Sequence, residues 1–210
     1  MRIACVVGTR PNFMKIAPIL EEMEKYPALE PLLVHTGQHY DYEMSQVFFE
    51  DLGIPKPNVY LGVGSGTHAI QTGKIMTAFE EFAVEHKPDL TLVVGDVNST
   101  LACAIVATKL CIPIAHVESG IRSFDRTMPE EINRVLTDAI SDCLMTPTES
   151  ANENLRRESI SEDRIFLVGD VMIDTLLKYK EKAIQNAECW MRDTGLKNRT
   201  SSAEGAGYVL

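Results

Sequence analysis

Short apolar runs alternate along this sequence with longer stretches of helical periodicity, and that alternation constrains the fold more than any other feature. Most of the runs show little alternation of polar with apolar residues, so both faces of each predicted strand should be buried, as in a parallel sheet. Repeated strand–helix units imply right-handed crossovers. The predicted fold class is α/β, with a doubly wound and mostly parallel sheet. The predicted strands lie at 2–8, 30–37, 89–96, 112–119, 142–148 and 164–169, with a weaker one at 58–63.

Helical patterns fill the gaps between these strands. Near the N-terminus, Phe13, Ile16 and Leu20 follow helical spacing. Pro18 interrupts that pattern, so either the helix bends there or its main part begins at the proline. The other predicted helices lie at 68–86, 98–110, 129–141, 148–158 and 170–186.

The domain organisation follows from where this pattern stops. Residues 1–186 are predicted to form one domain. Residues 187–207 are polar and contain glycine and serine, which is typical of a linker or an irregular tail. The final "YVL" at 208–210 is interpreted as the first residues of a missing C-terminal domain. The alternative is an ordinary C-terminus packed against the core.

Charge and composition exclude several classes of partner. Hydrophobic residues make up 45% of the 210 residues, which is enough for a substantial core. The formal net charge of -10 disfavours nucleic acid and anionic membrane surfaces as partners. An anionic substrate therefore requires a few cations placed in a local pocket.

The compartment is predicted from the cysteines and the N-terminus. None of the five cysteines forms a C-x-x-C pair, and most lie in apolar runs, so we expect buried thiols in a reducing compartment. The first apolar run is too short for a signal peptide, and no stretch reaches the roughly 18 apolar residues of a membrane span. The predicted location is cytoplasmic, and neither metal spacing nor a cofactor motif is evident. The cysteines are Cys5, Cys103, Cys111, Cys143 and Cys189.

Three predicted strands end in polar residues that a core does not need, at Gly8-Thr9-Arg10, Gly95-Asp96 and Glu118-Ser119-Gly120. Ligands of open parallel sheets bind beyond these carboxyl ends. Arg10 stands at a helix start, where free N–H groups favour an anion. Lys15 is spaced to reach the same region. The alternative for Arg10 is an ordinary surface ion pair.

Three carboxylates have local explanations that compete with a functional one. Asp96 is a possible helix N-cap. Glu118, at the end of a buried strand, favours either a functional role or an ion pair with Arg122 or Arg126. Glu130 follows a proline, as an ordinary helix start does, and stands four residues before Arg134, with which it can pair.

Two histidines lie in or just after predicted strands. His116 lies in the middle of a predicted strand, so a hydrogen-bonded core residue is the favoured interpretation. His39, just past another strand end, is a weaker pocket candidate.

Taken together, six segments resemble the non-hydrolysing UDP-N-acetylglucosamine 2-epimerases in order and spacing. The resemblance covers about residues 1–177 and rests on the joint set of segments. It implies a Rossmann-like domain, the N-terminal half of a glycosyltransferase-B-type fold. The segments are "GTRPNFMKIAP", "TGQH", "VVGDVNSTLA", "HVESGIRS", "MPEEINR" and "LVGDVMIDTL".

The resemblance also implies chemistry and site residues. Such enzymes interconvert UDP-GlcNAc and UDP-ManNAc by eliminating UDP and adding it back with inversion at C2. Matching the motifs makes Asp96, Glu118 and Glu130 the expected catalytic carboxylates, and the match overrides the local explanation of Glu130. Arg10 and Lys15 are the expected substrate-binding cations on the diphosphate side. No metal or cofactor is implied. The complete enzyme is expected to be a homodimer with a role in cell-surface polysaccharide synthesis.

Two departures and two alternatives accompany this resemblance. Asn12 stands where many members have an acid, and the family is roughly twice as long as this chain. A hydrolysing epimerase or a glycosyltransferase of the same fold is the first alternative, although hydrolysing members usually lack the "RP" after "GT". A non-catalytic truncated remnant is the second.

Overall fold

The structure, a computed structural model, describes residues 1–38 and 53–193. In these ranges seven strands form a single sheet, and every neighbouring pair is parallel. Each predicted apolar run contains one strand, which confirms the predicted strands; the weak run at 58–63 holds only a two-residue strand. The strands are β1 (Arg2–Val7), β2 (Glu30–His35), β3 (Val59–Tyr60), β4 (Leu90–Val94), β5 (Ile114–Val117), β6 (Cys143–Thr146) and β7 (Ile165–Leu167).

Helices separate most of these strands, as predicted. Pro18 lies inside the first helix, which begins at Arg10 and continues through the proline to Met23. Proline at the second helical position suits this start because the first N–H groups of a helix have no partner within it. The helices are α1 (Arg10–Met23), α2 (His68–His86), α3 (Asn98–Lys109), α4 (Pro129–Ile140), α5 (Glu149–Arg157) and α6 (Val171–Asp193), with a 3₁₀ turn at Glu162–Arg164.

The strand order is β3-β2-β1-β4-β5-β6-β7. From β1 the chain builds outward through β2 to β3, and then returns to the other side of β1 to add the remaining strands. The direction of winding therefore reverses between β1 and β4. Open α/β sheets bind ligands at such a reversal, beyond the carboxyl ends of the two strands.

Both faces of the sheet are covered, as a doubly wound fold requires. Alternate residues of β1 enter opposite cores: Ile3, Cys5 and Val7 pack with α1, whereas Ala4 and Val6 pack with α2 and α3. Because both sets are buried, the strand reads as a continuous apolar run rather than an alternating one. The prediction of a strand buried on both sides is confirmed.

The chain divides into two compact units, residues 1–172 and 173–210. The first contains the whole sheet, and the described part of the second is the remainder of α6. This helix continues to Asp193, so residues 187–193 are helical and the prediction of an irregular tail is wrong for them. The physical reason is that no glycine or proline interrupts the helix before Gly195. The rest of the predicted linker, the "YVL" segment and His39 lie outside the described residues.

The thiols differ in part from the prediction that they are buried. Cys5 and Cys103 are buried, but Cys111 is exposed and Cys143 half-buried, and all four are unpaired. Cys111 ends a helix in a left-handed conformation, which places it at the surface despite its apolar neighbours. Burial raises the pKa of Cys5 to about 12, so this thiol stays protonated. Within the described ranges, no helix has both the length and the apolar character needed to cross a membrane.

Candidate active site

The carboxyl ends of β1, β4 and β5 meet at one edge of the sheet, and Asn12 joins the first two. Its Oδ1 accepts hydrogen bonds from the N–H groups of Gly8 and Thr9, at 3.2 and 3.1 Å. Its Nδ2 donates to the carbonyl oxygen of Val94 at 2.9 Å. A single buried amide therefore fixes the β1–α1 turn against the end of β4. The predicted meeting of these strand ends is confirmed.

The end of β2 joins the same edge through Gln38. The Gln38 Oε1 accepts from the N–H of Ser99 at 3.0 Å and from its hydroxyl at 2.6 Å. Ser99 lies in the first turn of α3, where helical N–H groups lack partners within the helix. The buried glutamine thus supplies the acceptor that no side chain of α3 provides at this end.

Gly95 is the centre of the cluster. Its φ of +70° belongs to the left-handed region, which glycine adopts without strain. A Cβ at this position would lie 3.2 Å from Lys15 Nζ, 3.4 Å from Glu118 Oε2 and 3.5 Å from Asn12 Nδ2. The three polar groups therefore converge on a backbone surface that only glycine leaves open.

Lys15 forms an ion pair with Glu118, in which Nζ donates to Oε2. The Lys15 side chain is 11% exposed and that of Glu118 is 22% exposed. The local alternative of an ion pair between Glu118 and Arg122 or Arg126 is wrong. Arg122 instead contacts Asp138 and Glu158.

Glu118 also has an unusual backbone. Its φ is +70°, a region that residues other than glycine seldom adopt. Its N–H donates to the carbonyl oxygen of Met145 at 3.0 Å, and so does that of Ser119 at 3.1 Å. Such conformations persist where surrounding contacts determine them, and they are frequent at functional sites.

Asp96 pairs with Arg134 of α4, whose Nη2 donates to Oδ2. Asn133 donates to the carbonyl oxygen of Asp96 at 2.8 Å. The predicted local pairing of Arg134 with Glu130 is wrong, because Arg134 reaches Asp96 and, at 3.3 Å, Glu131. Asp96 is not a helix N-cap either, since Val97 occupies that position of α3.

Glu130 and Arg10 lie at helix starts. Glu130 is half-buried in the first turn of α4, and its side chain makes no hydrogen bond or ion pair with another side chain of the described residues. Arg10 is the first residue of α1 and is exposed. The contacts above thus connect Lys15, Glu118 and Asp96 to Gly95 or its neighbours.

Sequence reasoning missed several residues that hold this cluster, above all Asp138. The prediction of a hydrogen-bonded core histidine is confirmed, because His116 is fully buried and its partner is Asp138. Burial alone would raise the pKa of Asp138, but His116 and Arg122 hold it below its usual value. The signal that could have found this pair is a carboxylate inside an amphipathic helix at a position that packs on the sheet, where burial requires a partner.

Glu131 acts in a similar way on the loop before α4. It accepts from the N–H of Ser123 at 2.9 Å and from that of Phe124 at 3.1 Å. Burial would raise the pKa of Glu131, but the hydrogen bonds from Ser123 and Phe124 and the bond from Arg134 hold it below its usual value. Across the described residues, no group of three or more His, Cys, Asp and Glu side chains is arranged to hold a metal ion.

Residues 21–203 match the family model of UDP-N-acetylglucosamine 2-epimerase. The chain belongs to this family. A curated relative from Methanococcus maripaludis, named a UDP-N-acetylglucosamine 2-epimerase homolog, is 55% identical over 84% of this chain and 49% of its own length. The UDP-2,3-diacetamido-2,3-dideoxy-D-glucuronate 2-epimerase of Pseudomonas aeruginosa is 46% identical over 87% of this chain and 52% of its own length.

Solved structures of epimerases share the fold. The crystal structure of Methanocaldococcus jannaschii UDP-GlcNAc 2-epimerase in complex with UDP-GlcNAc and UDP matches with a TM-score of 0.88 and 46% identity. The match covers 92% of this chain and 54% of that one. It confirms the predicted Rossmann-like fold and its likeness to epimerases of the glycosyltransferase-B type. The chain spans about half the length of the curated relatives that it matches.

Proposed function

We propose that this chain is the N-terminal domain of a non-hydrolysing epimerase that interconverts UDP-GlcNAc and UDP-ManNAc. The observation that carries the proposal is the convergence of Lys15, Glu118 and the Asp96 segment on Gly95, at the reversal point of the sheet. Family membership and the UDP-GlcNAc complex of a structural neighbour support the substrate class.

The reaction begins with a bond cleavage that the enzyme must assist. The C2–H bond of the sugar is not acidic, so the C1–O bond breaks before or together with proton loss. The bond electrons leave with UDP, a carboxylate accepts the C2 proton, and the C–H electrons form the C1–C2 double bond of a glycal. Addition of UDP back to C1, with a proton delivered to the opposite face of C2, gives the epimer.

The residues suit these steps by charge and position. Positive charge develops at C1 and the ring oxygen, and carboxylates in a site shielded from water stabilise it. One carboxylate acts as the base at C2, and proton delivery to the other face calls for a second. We assign these tasks to Asp96, Glu118 and Glu130 as a set. Arg10 and Lys15 bind the leaving diphosphate, since guanidinium and ammonium groups are its natural partners.

In the complete enzyme we expect a second domain to close the cleft and to bind uridine, and we expect a homodimer. Ligands of two-domain folds lie between the domains. With one wall alone, the carboxylates face water, where a pair of charges in contact interacts by only about 1 kcal/mol. The 210-residue chain by itself is therefore expected to be inactive.

Hydrogen exchange at C2 tests this function. The full-length gene product and the 210-residue chain are each incubated with UDP-GlcNAc in heavy water, and C2 is followed by NMR. We expect deuterium at C2 and UDP-ManNAc with the gene product and neither with a 210-residue chain alone. Free ManNAc in place of UDP-ManNAc would instead identify a hydrolysing epimerase, and transfer of the sugar to an acceptor a glycosyltransferase.

A second substrate is run in parallel. The relative from Pseudomonas aeruginosa is named for a diacetamido glucuronate sugar, and it shares 46% identity with this chain. Faster exchange with that UDP-sugar than with UDP-GlcNAc would identify it as the preferred substrate, and the proposed reaction would still be a 2-epimerisation. No exchange with either substrate would refute the epimerase proposal.

A further inference from the structure

The buried face of α4 is polar, although helices that cover a sheet usually bury apolar side chains. Four of its polar side chains bind segments next to the proposed carboxylates. Glu131 holds the loop at 123–124, and Asn133 and Arg134 hold Asp96. Asp138, one turn further along the helix, holds two segments at once.

The first of these segments is Gly95, which Asp138 reaches through His116. The His116 Nε2 donates to the carbonyl oxygen of Gly95 at 2.8 Å, since a carbonyl oxygen can only accept. On its other side, Nδ1 lies 2.6 Å from Asp138 Oδ1. These two contacts fix the orientation of the His116 ring from both ends.

The second segment is Gly120. Its N–H donates to Asp138 Oδ2 at 3.0 Å. The same oxygen accepts from Arg122 Nη2 at 2.7 Å. Arg122 is itself anchored by Glu158, whose carboxylate binds the guanidinium in a two-pronged arrangement at 2.6 and 2.7 Å. Every member of this buried network therefore has a partner, which is the condition under which such networks make a structure rigid.

Each of the two glycines lies next to one of the proposed catalytic carboxylates, Asp96 or Glu118. Gly95 directly precedes Asp96, and Glu118 Oε2 and Lys15 Nζ lie close to the position that a Cβ of residue 95 would occupy. Gly120 follows Glu118 by two residues and packs so closely that a Cβ would lie 2.5 Å from the carbonyl oxygen of Ala151. The strained backbone of Glu118 lies between these fixed points, so its conformation depends on both of them.

We propose that Asp138, acting through His116 and Gly120, is a positioning residue for the carboxylates of Asp96 and Glu118. The inference rests on the proposed function, because a positioning role has meaning only for a site that turns over substrate. Asp138 is fully buried, and its contacts are with His116, Gly120 and Arg122 rather than with Asp96 or Glu118.

The experiment compares variants of Asp138 with a matched aspartate. Asp142 accepts a hydrogen bond from the N–H of Ile114 at 2.9 Å, so it also anchors β5, but at the opposite end of the strand. Asp138→Ala removes both contacts of the network. Asp138→Asn retains them, because its oxygen can accept from Gly120 and its amide can donate to the Nδ1 of a neutral His116 ring whose Nε2–H still faces Gly95. His116→Phe removes the donor to Gly95 and leaves Arg122 paired, which covers the case in which Asp138→Ala does not fold.

Two readouts are measured on the full-length gene product. The first is amide hydrogen exchange of Gly95, Glu118 and Gly120, which reports on placement whether or not there is turnover. The second is kcat and KM for UDP-GlcNAc. We expect Asp138→Ala and His116→Phe to speed exchange at these amides and to lower kcat by about 10- to 100-fold, with KM changed less than about threefold. Asp138→Asn should restore most of kcat, and Asp142→Ala should leave kcat within about threefold of wild type.

The outcomes separate the two proposals. A loss of kcat in Asp142→Ala equal to that in Asp138→Ala would show that general destabilisation is responsible and would overturn the positioning role. Unchanged amide exchange in both Asp138→Ala and His116→Phe would overturn it as well. A wild-type protein without C2 exchange would refute the proposed function, and the amide data would still decide whether Asp138 fixes the two glycines.

Discussion

Lys15 of α1 and Glu118 at the end of β5 form an ion pair across Gly95, although 103 residues separate them along the chain. Both side chains are mostly buried, so each charge depends on the other for compensation. A diphosphate bound by Lys15 would compete with Glu118 for the same ammonium group. The pair therefore links substrate binding to the state of a proposed catalytic carboxylate.

The first prediction is that Glu118→Gln binds UDP more tightly than wild type. Removal of the carboxylate leaves the Lys15 ammonium available to the diphosphate, and we expect an increase of about fivefold, equivalent to about 1 kcal/mol. Titration calorimetry of the full-length gene product with UDP measures the effect. Glu130→Gln is the control, because it removes the same charge from a carboxylate that does not pair with Lys15. Equal gains in both variants would show that charge alone is responsible.

The second prediction concerns turnover. Asp96→Asn, Glu118→Gln and Glu130→Gln should each lower kcat by about a hundredfold, because one charge interaction in a preorganised site contributes about 3 kcal/mol. Deuterium uptake at C2 in the full-length gene product provides the measurement. Glu153→Gln, an exposed carboxylate on α5, is the control and should behave as wild type. A variant that keeps near-normal uptake would remove its residue from the catalytic set.

The third prediction is that Gly95→Ala destabilises the fold and distorts the site. A left-handed backbone costs a residue with a Cβ about 1–2 kcal/mol, and this Cβ would also press on Lys15 and Glu118. Urea unfolding of the 210-residue chain gives the free energy. Gly73→Ala is the matched control, since Gly73 lies in α2 with no atom within 4 Å of the added Cβ. That control should gain about 0.5–1 kcal/mol, and a similar gain for Gly95→Ala would contradict the packing described here.

The regular structure was predictable because its signals are local. A strand buried on both faces is a run of apolar residues, and a helix start is marked by proline or a capping residue, so β1 and α4 were located from the sequence alone. The carboxyl ends of parallel strands share an edge by topology, so the sequence alone predicts that Asp96 and Glu118 lie at the same edge of the sheet.

Long-range pairing was not predictable in the same way. Arg122 and Arg126 were the sequence-local candidates for Glu118, yet Lys15 binds it because β4 lies between β1 and β5 and its glycine end lets the two side chains meet. Arg134 likewise forms its ion pair with Asp96 and not with Glu130, because the fold brings the end of β4 next to α4. Such choices depend on which strands are neighbours, and helical spacing carries no information about that.

The fourth prediction is an acid sensitivity that originates at His35. This side chain is fully buried, and its Nδ1 accepts from the N–H of Gly37 at 2.7 Å. Burial lowers the pKa of His35 to about 4. As the pH falls, His35 therefore becomes protonated near pH 6.5 in the unfolded chain but only near pH 4 in the folded protein. The contribution of neutral His35 is therefore complete above pH 6.5, and it is lost as the pH falls from 6.5 to 4.

Urea unfolding between pH 7 and pH 5 measures this effect. The wild-type free energy of unfolding should fall by about 2 kcal/mol from this residue over that interval. His35→Gln should flatten the dependence by the same amount, whereas the exposed His68→Gln should leave it unchanged. Parallel pH profiles for wild type and His35→Gln would show that His35 does not control the acid response.

The last prediction is that Asn12→Asp weakens the joint between β1 and β4. The Asn12 Oδ1 accepts from Gly8 and Thr9, and an aspartate oxygen can do the same, but only the amide Nδ2 can donate to the carbonyl oxygen of Val94. An aspartate would place a carboxylate oxygen against that carbonyl oxygen in a buried site, at a cost of about 1–3 kcal/mol.

Urea unfolding again supplies the measurement, with Asn58→Asp as the control. Asn58 Oδ1 accepts from the N–H of Leu33 at 2.7 Å, a role that aspartate retains, so this variant should lose less than about 0.5 kcal/mol. The Asn12→Asp and Asn58→Asp variants also separate an effect on the site from an effect on stability when their affinities for UDP are compared. Because Asn12 Nδ2 lies beside the Gly95 surface that receives Lys15, Asn12→Asp should weaken UDP binding and Asn58→Asp should not. Equal losses of stability in the two variants would mean that the amide of Asn12 is not what ties the two strand ends together.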